Sequence, residues 1–187
     1  MIGSLWFNSF SAGGGGAAGD YELISTTVLG SSAATVTFSG LGTSAAAYKH
    51  LQIRAAARSD VAATYVDTRL KINGDTTSAN YSTHELYGTG SSAGSGGAGS
   101  YYPPGIVYSS GSSAAANNFG AFIIDVLDFS STSKNKTFRG LSGVAGANIV
   151  ALRSVGWFST AAITSIELNT ASNFVTGSRF SLYGLKG

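Results

Sequence analysis

A chain of 187 residues has the length of one domain, or of one domain with a short arm, and is long enough to bury a core. Only 11% of its residues are charged, the net charge is +2, and the 11 Lys and Arg form no block, which argues against nucleic-acid binding by counterion release. With no cysteine there is neither a disulfide framework nor a thiolate metal site, and no stretch approaches the roughly 18 apolar residues of a membrane span.

The first ten residues, MIGSLWFNSF, gather Ile2, Leu5, Trp6, Phe7 and Phe10, and SAGGGGAAG follows at once. They lack the basic start and cleavage pattern of a signal peptide, so the product is expected to be soluble and made in the cytosol. Residues 1–19 therefore read as an aromatic arm on a Gly-rich tether, either an assembly anchor that inserts into a neighbour or a first strand of its own sheet. Residues 20–187 read as the folded domain. The whole chain's 26 Gly, 10 Phe and 9 Tyr against a single Met suit short strands and small-residue loops better than helices.

Strands are expected at YELISTTVL (Tyr21 to Leu29) and TVTFSGL (Thr35 to Leu41), pairing as a hairpin with Val36 and Phe38 on one face. HLQIRAAAR sets Leu51, Ile53, Ala55 and Ala57 against His50, Gln52, Arg54 and Arg58, a period of two; a helix from Ser44 to Ala57 is the competing reading. TRLKING and THELYG follow. Thr89 to Asn118, rich in Gly, Ser and Ala, reads as the longest irregular segment. Beyond it come GAFIIDVLDF, NKTFRGLSG and VALRSVGWF, then a closing pair, ITSIELN and RFSLYG, expected as a second hairpin whose loop is plugged by Phe174 and Val175. Nine or ten strands at this spacing predict an all-β, antiparallel, two-sheet sandwich, jelly-roll-like, with a short N-terminal arm.

Few residues point to chemistry. SGLGTSAA (Ser39 to Ala46) imitates a dinucleotide fingerprint but lies outside any repeated βαβ unit, so it reads as a strand-end turn. His50 and His84 have no Gly-x-Ser-x-Gly elbow to serve, and Asp125 and Asp128, three apart on a strand, face opposite sides. Asn73, Asp75 and Asn80 offer oxygens around Gly74 without EF-hand spacing, so a tight turn is the simpler account. No catalytic residue, metal or cofactor is expected. Tyr101, Tyr102 and Tyr108, around Pro103 and Pro104, are the candidates for contact with a subunit or a sugar ring.

Several stretches resemble the β-rich virion proteins of tailed bacteriophages, the small tail-fibre and capsid-decoration group. They are Ile163, Ser165, Ile166 and Leu168 followed by Gly177, Ser178, Phe180, Ser181, Leu182, Tyr183 and Gly184, with YELISTTVL, YKHLQIRAAARS and LKINGDTTSANYSTHELYG upstream. The resemblance implies a non-enzymatic virion structural protein, most simply a homotrimer, made in the host cytoplasm and contacting other virion proteins such as the major capsid protein. It allows a capsid decoration (cement) protein or a tail-fibre protein reading a host surface glycan. One head behind a short arm, with no extended shaft, favours decoration.

Overall fold

The computed structural model describes residues 20–187. Twelve strands run through them: β1 (Tyr21–Val28), β2 (Ala33–Phe38), β3 (His50–Ala57), β4 (Tyr65–Ile72), β5 (Tyr81–Gly88), β6 (Ala93–Ala98), β7 (Gly105–Ser110), β8 (Gly120–Val126), β9 (Lys136–Val144), β10 (Ile149–Trp157), β11 (Ile166–Phe174) and β12 (Arg179–Leu185). One helical turn, α1 (Leu41–Ser44), and two short 3-10 turns complete the described elements. The strands form an eight-stranded sheet, β1-β12-β3-β8-β9-β10-β5-β6, and a four-stranded sheet, β2-β11-β4-β7. Every strand pairing is antiparallel. The expected all-β two-sheet sandwich is what the chain forms.

Alternation decides which side chains go inside. In β9 and β10 every second residue is buried, and Ile53, Leu70, Ile72, Phe138, Val155, Ile166, Leu168 and Phe180 meet between the sheets in one core. Phe174 and Phe180 pack edge to face with ring centres 4.9 Å apart, so Phe174 is buried, though as the last residue of β11 rather than as a loop plug, and Val175 is only half-buried. The strand reading of His50 to Ala57 holds as well, with Leu51, Ile53 and Ala57 inward.

Three expectations fail. Neither expected hairpin exists: β1 pairs with β12 while β2 pairs with β11, so each pair of sequence neighbours is split between the two sheets. An inward-facing apolar strand is equally satisfied by turning back in its own sheet or by arching across to the other, and alternation does not distinguish them. Thr89 to Asn118 is not one long loop but contains β6 and β7. β6 (AGSGGA) has no strand-forming side chains and is held by its pairing to β5, where Gly94 and Gly96 leave room for Tyr87 and Glu85. β7 is buried along its whole length. It is the last strand of the smaller sheet, and its free edge is closed by β9: the Tyr108 N–H donates to Ser142 Oγ at 3.0 Å, and Gly140 lacks the β-carbon that would strike the Ile106 carbonyl.

Candidate functional site

Two features of the described surface are candidates, and the first is the outer face of the larger sheet. The pairing register sets Ile123 opposite Leu141, Leu141 opposite Leu152, and Leu152 opposite Leu86, an apolar row running across β8, β9, β10 and β5. The next row brings Ala121, Gly143 and Val150 together. Leu86, Leu141, Leu152 and Val150 are 50–57% exposed, and Leu23 on β1 is 56% exposed. Leu23, Ala56, Ile123, Leu141 and Val150 line one open trough of about 600 Å³ on this face. On one side the belt is bordered by a polar row, where Gln52 donates to Asp125 at 2.8 Å and Arg139 pairs with Asp125 at 3.0 Å. An apolar centre with a polar rim is the anatomy of a protein contact.

The second feature is a polar cleft of about 220 Å³ between β4 and β7 on one side and β5 and β6 on the other. Arg153, on the inner face of β10, is only 7% exposed. It joins the two sheets, reaching Asp67 of β4 through Nη1 at 2.6 Å and Glu85 of β5 through Nε at 2.7 Å. Its guanidinium lies 4.0 Å from the centre of the Tyr108 ring, and the Tyr108 hydroxyl donates to Glu85 at 3.1 Å. Burial pushes the Tyr108 phenol up, with the neighbouring carboxylates adding to it and Arg153 opposing. Burial lowers the Arg153 pKa, and the facing carboxylates more than restore it, so the guanidinium stays charged. Gly96, Gly97 and Tyr101 form the rim.

Tyr101, Tyr102 and Tyr108 do not share a face. Tyr101 is 43% exposed at the cleft rim, Tyr102 packs on the core against Tyr81, and Tyr108 lies inside under Arg153. Asp125 and Asp128 are separated by a turn, Asp125 facing Arg139 and Asp128 facing Lys134 and His50. His84 sits on the outer face opposite Ser154.

The Asn73-Gly74 pair forms a tight turn, both residues at positive φ, closed by the Asp75 N–H donating to Ile72 at 2.8 Å. The Asp75 carboxylate accepts from Trp157 Nε1, Asn80 and the Thr77 N–H, all at 2.8–2.9 Å, so its oxygens serve the fold. Ser39 to Ala46 holds the single turn α1 behind Gly40, whose φ is 66°. Ile2, Leu5, Trp6, Phe7 and Phe10 lie outside the described residues.

Sequence reasoning missed both features. The belt is written in residues that each look ordinary on a strand, and the register that aligns them crosses four strands. The Arg153 cluster draws on four strands, β4, β5, β7 and β10, and its one local sign is an Arg at an inward position of an alternating strand. No family model, no characterised protein and no solved structure matches the chain.

Proposed function

We propose that the chain is a non-enzymatic structural protein of a tailed-phage virion, a capsid decoration protein that works through contact with other virion proteins. The apolar belt on the outer sheet face carries this reading. Five half-exposed Leu and Val side chains leave open on the order of 500 Å², the upper end of what the largest patch on a monomer shows, and such a face is built to be covered by protein. A resemblance to virion proteins supplies the particle. Contacts made only in the assembled shell stabilise it by mass action.

Particles lacking the protein are expected to burst at lower temperature while still adsorbing to cells. A double substitution, Leu141→Lys with Leu152→Lys, is expected to leave the subunit folded and keep it off the particle. Particles that stay robust but lose adsorption would instead establish the rival, a tail-fibre tip contacting host glycans. One observation favours that rival: Tyr101 stands over a cleft offering the Asp67 and Glu85 carboxylates, a stacking ring beside hydrogen-bond acceptors. Tyr101→Ala separates the two, since only the rival has it reduce adsorption.

A further inference from the structure

The belt ends against arginines, and they stand at one end of it. In the row that holds Leu86, Leu152, Leu141 and Ile123, the next outward residue beyond Ile123 is Arg54 of β3, and beyond that Ser181 of β12. In the neighbouring row Arg179 of β12 follows Ala121 and Ala56. We infer that the partner protein's segment seated on the belt carries a carboxylate, received over Ser181 by Arg54 and Arg179, with apolar side chains running on from it across β8, β9 and β10. The inference rests on the belt being a protein-contact face and names the chemistry of what contacts it.

Charge is the first argument. The outward residues of β12, β3, β8 and β9 include Arg54, Arg139 and Arg179 against one carboxylate, Asp125, which already accepts from Arg139 and Gln52. Arg179 is exposed, and its side chain has no hydrogen bond or ion pair among the described residues. Arg54 is held in place, its guanidinium 5.0 and 5.5 Å from the ring centres of Tyr21 and Tyr183 and its Nε donating to Gln52 at 2.8 Å. Donor geometry is the second. Arg54 faces Ser181 across the strand pair and Arg179 lies two residues before it, a diagonal of about 7–8 Å that long side chains span. The Thr26 and Ser181 hydroxyls share one hydrogen bond of 2.9 Å, which uses one O–H and leaves the other to donate. Continuity is the third: Arg54, Arg179, Thr26 and Ser181 line the same open trough as Leu141 and Val150. A second copy of the chain is the wrong occupant, because two such faces laid together set arginines against arginines with no unpaired carboxylate among their outward residues.

The probe is a blocked five-residue peptide, aspartate followed by leucines at alternate positions, compared with the same peptide carrying asparagine or lysine in place of aspartate. Amide shifts of the full chain are followed as each is added. The aspartate peptide is expected to bind roughly tenfold more tightly than the asparagine one and the lysine peptide more weakly still, with the largest shifts at Arg54, Arg179, Ser181 and Leu141. At about 0.5 M salt the preference is expected to shrink to near unity. Arg54→Gln with Arg179→Gln is expected to abolish it; Arg179→Gln alone, which breaks no contact within the described fold, is expected to remove a large part.

Equal binding of the aspartate and asparagine peptides would overturn the inference, as would no binding of the three at millimolar peptide, shifts centred on another face, or a preference that survives the double Gln substitution. Rebinding to particles that lack the protein is read separately. If the double Gln variant rebinds as the wild type does while Leu141→Lys with Leu152→Lys does not, the contact face stands and the carboxylate seat falls. If the wild type fails to rebind while the aspartate preference holds, the seat stands and the virion reading falls.

Discussion

At the scale of single residues, the fold is fastened by polar side chains whose partners are far away in sequence. For Asp75, burial works to raise the pKa, but the hydrogen bonds from Trp157, Thr77 and Asn80 outweigh it and bring the carboxyl from its ordinary 3.8 to about 2. A depressed carboxyl pKa contributes stability that is fully present above the unfolded value and is lost as pH falls through the folded one. Unfolding free energies from denaturant titrations at pH about 4 down to about 2 are thus expected to fall in the wild type, by on the order of 1–2 kcal/mol after solvent screening. In Asp75→Asn this part of the fall is expected to disappear. Arg153 makes a second test. Arg153→Ala strands Asp67 and Glu85 opposite each other, at a cost of roughly 2–4 kcal/mol, below the usual figure for breaking a buried pair because Asp67 keeps 39% of its side-chain exposure. Arg153→Lys is expected to recover only part, since an ammonium lacks the planar fork that meets both carboxylates. The sequence shows Asp75 beside its local partner Asn80 but not its distant one, because Asp75 and Trp157 are 82 positions apart.

At the scale of elements, the strands with alternating apolar residues were legible and their neighbours were not. Leu51 and Ile53, Val36 and Phe38, and Ile166 and Leu168 all face inward as their spacing predicts. β6 was illegible because Gly and Ala carry no alternation, and β7 because Ile106, Val107 and Tyr108 are a short signal inside a long small-residue stretch. The connection after β7 has a holder of its own. Arg58 donates to the carbonyls of Ser112, Ala114, Ala115 and Asn118, tying residues 112–118 to the end of β3. Arg58→Lys is expected to lose most of these bonds, costing roughly 1–3 kcal/mol and speeding amide exchange across 112–118 while the β3–β8 ladder stays protected. Sequence reading ran the strand through Arg58, whereas β3 ends at Ala57 and Arg58 bridges Ser110 instead, and it gave no hint of the loop that Arg58 holds.

At the scale of the whole molecule, the two-sheet class was readable from composition and strand count, while the strand order was not, and the belt depends on the order. β8, β9 and β10 are adjacent both in sequence and in the sheet, but the Leu86 end of the row exists only because β5 lies beside β10. The same strand order bears on how the chain is made. β12 sits between β1 and β3, so among the described strands β1 and β3 are joined only by an element more than 120 residues further along the chain. Until Arg179–Leu185 emerge, β1 has no neighbour and one edge of β3 stays open, and closing contacts so distant in sequence is slow. A nascent chain of this kind completes its larger sheet only once β12 has emerged, and until then exposes a bare strand edge to whatever else in the cell will pair with it.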